Sequence, residues 1–531
     1  MDADYIVVGA GSAGCVMAAR LSEDGAKVVL LEAGPKDRHP MIHIPAGIRS
    51  LLHNPAVNWM YSSEPEQNTG GRRIHWPRGR VLGGSSSING MLYVRGNRAD
   101  YDGWAQRGCR GWGFDDVLPL FKKSENYRSS GGGEVRGRGG PLIVEDYRTV
   151  LPLTHKFVEA AQQAGFAFNP DLNGKGQEGV GYSQMTRRGR LRGSTARTFL
   201  AEAKGRSNLE TVTEAVATKL LFDGKRCVGV AYRQGGVERE VRAAREVILS
   251  GGAVNSPHLL QISGIGPAEH LRSIGVEVVH DLTGVGSNLS DHYVTRVSHR
   301  VKDLISINEL ARGVRVAREI LRWVFRGDGA LTFGVTSAQV FCRSREGLSS
   351  PDLQLLFTPA SYGTEVIGSL ENEPGMTVAV CPVRPESRGT IMAESSDPLA
   401  APVIRPKYMS AEGDAHVMLA GIRHTQRILA APALAEYSVR EMEPGNPIES
   451  VEDVFEFAKR NGASIYHPVG TCKMGEDPMA VVDPRLRVHG VDGLRVVDAS
   501  IMPTVTTGNT NAPTIMIGEK GAAMVREDQA A

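Results

Sequence analysis

The chain opens on a short apolar run, Tyr5-Ile6-Val7-Val8, that leads directly into Gly9-Ala10-Gly11-Ser12-Ala13-Gly14. No other feature restricts the fold as strongly. A helical pattern follows from Cys15 to Leu21, and a second apolar run from Lys27 to Leu31 ends at Glu32. This is a strand–turn–helix–strand unit, the opening of a doubly wound α/β sheet. Gly9 permits the tight turn, Gly11 lets backbone approach a pyrophosphate, and Gly14 lets helix and strand pack closely. The pyrophosphate is expected at the helix N-terminus, around Ser12 and Ala13, where unpaired N–H groups and the dipole favour negative charge. Glu32 comes 18 residues after Gly14. There, beside Ala33, its carboxylate is placed to accept ribose hydroxyls. Glu32 would repel a 2′-phosphate, which argues against NADP, but this unit alone does not separate FAD from NAD.

Further along, Leu209 to Leu249 reads as sheet, with hairpin signals at Asp223-Gly224 and Gly235-Gly236. Val247 to Leu249 reads as a buried strand, and Gly251-Gly252-Ala253 as the turn into a helix. Residues 128–140 are a glycine-rich, low-complexity loop. The net charge of +2 gives no electrostatic case for nucleic acid. Six cysteines are scattered without a Cys-x-x-Cys pair or a cluster of metal-ligand spacing. They read as thiols in a reducing compartment, with no metal site expected. The acidic start Met1-Asp2-Ala3-Asp4 is unlike a secretory leader, and no run of about 20 apolar residues occurs, so a cytoplasmic location is expected.

Four separated motifs resemble the glucose–methanol–choline oxidoreductases, in the same order and over nearly the whole chain. They are the opening DYIVVGAGSAGCVMAARLSEDGAKVVLLEAGP; Gly79-Arg80-Val81-Leu82-Gly83-Gly84-Ser85-Ser86-Ser87-Ile88-Asn89-Gly90; Gly252-Ala253-Val254-Asn255-Ser256-Pro257 and its continuation to Gly266; and His467-Pro468-Val469-Gly470 with Val496 to Lys520. The resemblance implies an α/β fold with a Rossmann-like FAD-binding domain and a substrate domain of antiparallel sheet plus helices. The FAD domain is expected to be discontinuous (1–150, 205–295 and 480–531), with 151–204 and 296–479 forming the substrate domain. Small residues at 83–87 would let a flat ring lie against backbone N–H groups, a nest suited to the charge of a reduced flavin. Asn89 is expected to orient that loop, next to Gly90. Val216, Gly252, Asp498, Ala499, Asn511, Ala512 and Pro513 carry over as further flavin contacts. Ile88 stands where some relatives tether FAD through histidine, so non-covalent FAD is expected.

The resemblance also implies oxidation of an alcohol. Such a reaction removes a hydroxyl proton, which suits a histidine near neutral pH, and a hydride, which goes to the flavin. His467 is expected to be the base. Asn511 is expected opposite it, orienting the hydroxyl; Asn509 is the rival by residue type. Trp59 and Tyr466 are expected in the substrate pocket, with ordinary core packing as the alternative. Ser337 is aligned where choline-oxidising relatives carry a glutamate, so a neutral primary or secondary alcohol is expected. A quinone or another acceptor is expected to take the electrons, with an O₂-using oxidase as the alternative. The fold also hosts lyases and light-driven decarboxylases, the alternative of another class. Residues 309–326 read as a basic amphipathic helix with Arg312, Arg315, Arg318, Arg322 and Arg326 largely on one face. The expectation is a helix packed on the protein with its arginines in water; peripheral contact with the inner face of an anionic membrane is the alternative.

Overall fold

A computed structural model describes residues 2–131, 133–363 and 369–530. Two large sheets organise it. The first takes its order from the opening unit: Leu209–Val212, Val28–Leu31, Asp2–Val8, Val237–Leu249, Arg226–Gln234 and Ala215–Asp223, with Leu494–Val496 also on Val237–Leu249. Its nucleotide half is parallel, with Val8 opposite both Leu31 and Leu249. Residues 5–8 and 28–31 are buried throughout, the continuous apolar pattern of a sheet covered on both faces. The remaining strands form antiparallel hairpins, and Gly224, Gly235 and Gly236 turn at positive φ where the sequence placed them.

The second sheet is antiparallel in its central part: Ser438–Glu443, Tyr293–Val301, Gly375–Pro382, Leu353–Thr358, Ala338–Cys342 and Gly179–Tyr182. The expected segment boundary at 295 falls inside the strand Tyr293–Val301. Side chains alternate across this sheet. Val297, Leu355, Phe357, Val378 and Val380 pack in a core that includes Ala415, Met418 and Ile422 of the helix Glu412–Leu429. The alternate residues form two rows across three strands, Arg296–Ala379–Leu356 and Ser298–Thr377–Thr358, and line a cavity between the sheets.

Within the segment 128–140, the stretch around Arg136 is better anchored than its composition suggests. Arg136 is fully buried, ion-paired to Glu125 and Asp171, with its guanidinium 3.7 Å from the Tyr127 ring centre. All six cysteines are free and buried. Among the described residues no helix is long and apolar enough to cross a membrane. The basic segment breaks at Gly313 into Ile307–Leu310 and Gly313–Arg326, and its apolar side is not packed on the protein: Val314 is 87% and Phe325 80% exposed.

Candidate active site

The cavity between the sheets holds about 800 Å³ and runs from Gly11 and Glu32 at one end to His467 and the antiparallel sheet at the other. Gly9 has φ +101°, and a Cβ there would fall 2.5 Å from the Ser250 carbonyl oxygen. A Cβ on Gly14 would lie 1.8 Å from the Gly9 carbonyl, so strand and helix touch through hydrogen alone. At Gly11 a Cβ would meet only Ser250 O at 3.9 Å, leaving open the space a pyrophosphate would fill. The helix Ser12–Leu21 starts without a side-chain cap, so its first-turn N–H groups are free for an anion.

Glu32 is buried and accepts the Ala10 N–H at 3.0 Å and the Gly34 N–H at 2.8 Å. Burial pushes its pKa up to about 7, against those two bonds and the Arg80 charge. Gly84, φ +51°, packs its Cα face on Gly11, where a Cβ would approach Gly11 Cα to 2.6 Å. Asn89 Oδ1 accepts from the Met91 N–H at 3.0 Å and the buried Arg192 at 2.9 Å. Arg192, whose pKa burial pushes down to about 9, also donates to Ile42 O; its part in holding this loop has no local sequence signature. Asp498 accepts from the Gly252 N–H and Ser256 hydroxyl and so fixes the start of the helix Gly252–Ile262. Val216, Ala33, Ser85, Gly90 and Ala499 complete this part of the wall. These residues fit FAD: an uncapped helix for pyrophosphate, a carboxylate for ribose, and a glycine-rich cradle for a flat ring.

Several expected contacts stand behind the wall. Gly14 and Gly83 shape its turns, and Gly83 N–H donates to Ala10 O at 2.8 Å. Val81 packs with Ile42, Leu51 and Ile88. Ala512 and Pro513 are buried in the last helix, Asn511–Ala530. The Arg80 guanidinium lies over the Trp59 ring at 5.3 Å. Ser337 is a correction: its hydroxyl bonds Thr154 at 2.9 Å, away from the cavity, and its neighbour Thr336 lines the wall instead. One residue along an extended chain reverses the side.

Asn511 is the second correction. Its Oδ1 accepts the Ser12 hydroxyl at 2.7 Å, joining the last helix to the nucleotide helix. Asn509 holds the place beside His467, with Nδ2 3.1 Å from His467 Nε2. Among the described residues the buried Asn509 Oδ1 has no partner, so the amide keeps one unused polar atom.

His467 is gripped from behind. Its N–H donates to Asp291 Oδ1 at 2.7 Å, and the other Asp291 oxygen accepts from Ser464 at 2.6 Å and from Tyr408. Tyr466 adopts φ +71°, a strained conformation for a bulky side chain, held by its N–H to Ser464 Oγ and by Arg78 on its carbonyl. The His467 ring contacts a second histidine, His292, with the two Nδ1 atoms 2.9 Å apart. His292 Nε2 faces the Val383 carbonyl at 3.2 Å. A carbonyl only accepts, so Nε2 of His292 carries hydrogen. Burial pushes the His292 pKa down to about 4, leaving the ring neutral with Nδ1 bare. The network therefore assigns hydrogen to Nδ1 of His467 and leaves its Nε2 bare, toward Asn509. Burial, and in acid the repulsion of a protonated His292 and of Arg78, hold the His467 pKa well below the ordinary range. His292 and Asp291 were not singled out in the sequence, although Asn288-Leu289-Ser290-Asp291-His292 was there to be read.

Comparison with known proteins finds relatives over nearly the whole chain. GMC oxidoreductase models match residues 3–294 and 385–518. The alcohol dehydrogenase [acceptor] of Pseudomonas putida is 42% identical over 98% of this chain and 95% of its own. The mitochondrial choline dehydrogenase of Homo sapiens is 44% identical over 98% of this chain and 89% of its own. A formate oxidase from Aspergillus oryzae RIB40, studied for modification of its FAD, superposes with a TM-score of 0.92 at 26% identity, covering 100% of this chain and 99% of that one.

Proposed function

Because this chain belongs to the GMC oxidoreductase family, as an FAD-dependent enzyme acting on CH–OH groups, we propose that its substrate is a neutral alcohol deprotonated by His467 and oriented by Asn509. Oxidation of an alcohol or choline is the activity common to the two relatives by name. The observation that carries the finer reading is the Nδ1–Nδ1 contact of His467 with His292, which assigns a bare Nε2 to His467. Nε2 and the Asn509 amide are aimed at each other at 3.1 Å. A hydroxyl that displaces this direct contact donates to Nε2 and accepts from the Asn509 N–H. That fixes the O–H direction and leaves the carbinol C–H free to point along the cavity. Bound flavin supplies the hydride acceptor. As the oxygen loses its proton, the Asn509 N–H and the newly protonated imidazole both stabilise it. Imidazolium is disfavoured by burial, so His467 holds the proton only while negative charge is developing next to it.

Three observations favour an uncharged substrate over a quaternary ammonium. The Trp59 ring, a candidate cation cage, is already stacked on Tyr61 at 5.7 Å and covered by Arg80. Arg296 and Arg78 bring positive charge to the wall. Among the described wall residues the carboxylates are Glu32, Glu443 and Asp498; Glu32 and Asp498 are engaged by N–H and hydroxyl donors, and Glu443 lies near Arg460. The name of the Pseudomonas relative supports transfer of the electrons to an acceptor, and a quinone is our reading of that acceptor.

The test is anaerobic mixing of FAD-loaded protein with a panel of alcohols. Bleaching of the yellow flavin band is expected with neutral alcohols, weakly or not at all with choline, and reoxidation should be faster with quinone than with O₂. His467→Ala should keep its FAD and lose about 10²–10⁴-fold in bleaching rate, the usual worth of a positioned base. Undiminished bleaching would remove His467 from the chemistry; an intact flavin that no alcohol bleaches would remove the reaction.

A further inference from the structure

We propose that the helix Gly313–Arg326 docks this protein in the plane of an anionic phospholipid monolayer. The helix is 14 residues long, and Glu319 is the one residue of it that is buried. Val314, Ala317, Leu321, Val324 and Phe325 recur at helical spacing, and this stripe faces outward: Val314 is 87%, Phe325 80% and Leu321 57% exposed. The opposite side is pinned to the body. Glu319 accepts the Ala330 N–H at 2.6 Å, and the Trp323 indole donates to Arg190 O at 3.1 Å.

Cations border the stripe. Arg318 lies next to it on the helix, while Arg190 sits on the pinned side with its guanidinium 5.2 Å from the Trp323 ring centre. Arg315 and Arg322 are paired with Glu309 and Asp328, whereas Arg318 and Arg326 have no partner among the described residues. Glu319 is the helix's one carboxylate and is turned inward, and the flanking Glu309 and Asp328 are engaged by Arg315 and Arg322, so the helix itself presents no carboxylate to a phosphate surface. An outward apolar stripe edged by arginines matches a helix lying at the headgroup–acyl boundary.

The size of the stripe argues against a second copy of the chain. A helix of 14 residues is about 21 Å long and about 10 Å across, so it offers roughly 200 Å². A stable dimer buries about 800 Å² on each partner. A bilayer needs no matching partner surface, only apolar insertion and charge.

The helix leads through Gly327–Gly329 and the turn Ala330–Thr332 to Val335 and Thr336, which line the cavity. The same turn packs on Pro45–Gly47, next to the wall residue Ile48. Docking would therefore bring the cavity wall close to the acyl region.

The test uses FAD-loaded full chain and sedimentation with vesicles of phosphatidylcholine alone or mixed with phosphatidylglycerol. Binding to the anionic vesicles is expected, weakened by salt, with little binding to the neutral ones. The double variant L321E/F325E should lose about 100-fold or more in vesicle partition, since two inserting side chains are replaced by carboxylates. Its bleaching by a water-soluble alcohol should be unchanged. The proposal is overturned if the parent ignores anionic vesicles, if L321E/F325E binds them as the parent does, or if the parent is a dimer that L321E/F325E splits.

Discussion

Replacing His292 with leucine separates the tautomer argument from a merely structural role. His292 is fully buried and makes two polar contacts, to Val383 O and to His467 Nδ1. Leucine fills much of the same space but accepts nothing. The His467 Nδ1–H is then buried without an acceptor, at a cost of about 1–3 kcal/mol. That cost favours rings that are turned, or that carry hydrogen on Nε2, by about 5- to 150-fold. Flavin bleaching by a good alcohol, followed anaerobically in a stopped-flow spectrometer, should slow by that factor while FAD content stays constant. The pH profile should move as well. Activity needs neutral His467, so the rate falls on the acid side as that ring protonates. In acid His292 is itself protonated, and its repulsion is, after burial, the next influence lowering the His467 pKa, so removing His292 raises it. The acid limb in His292→Leu must therefore shift to higher pH. His292→Asn, whose Oδ1 can accept from Nδ1–H, should recover most of the rate. A His292→Leu enzyme with the parent's rate and limb, or a uniform loss that Asn does not rescue, would refute the reasoning.

Two other substitutions test the rest of the site. Asn509→Ala should slow bleaching by about 10²–10³-fold, the range for one donor at a developing oxyanion; Asn511→Ala should leave that step nearly intact and weaken FAD retention through the lost Ser12 contact, and the reverse pattern would restore Asn511 to the reacting centre. Gly84→Ala should purify with little or no FAD, because its Cβ would come within 2.6 Å of Gly11 Cα at a backbone of φ +51°; flavin absorbance per protein checks it.

The parts of this site that were legible in the sequence are the local ones. Gly9, Gly11, Gly14 and Glu32 lie on one strand–turn–helix–strand unit, where spacing alone fixes who meets whom. Asn509 and Asn511 are two residues apart, and spacing does not separate them. Gly508, at φ +118°, turns the chain so that Asn509 faces His467, whereas Asn511 is already the first residue of a helix. Ser337 against Thr336 is the same difficulty in extended chain, where a slip of one residue changes sides. The contact of His292 with His467 joins positions 175 residues apart, and only the folded antiparallel sheet creates it. The stripe on Gly313–Arg326 was visible as a period, but a period does not say on which side the body of the protein lies.

The strand Tyr293–Val301 starts one residue after His292. Its odd positions Thr295 and Val297 stay in the core, and its even positions Arg296 and Ser298 meet whatever enters the cavity. One strand thus carries two inheritances that barely interfere. Exchanges at 296, 298, 356, 358, 377 and 379 would re-cut the mould around a new molecule while the proton-handling pair stays where it is. Substitutions on this wall would then change which carbinols fit without disturbing the residues proposed to take the proton.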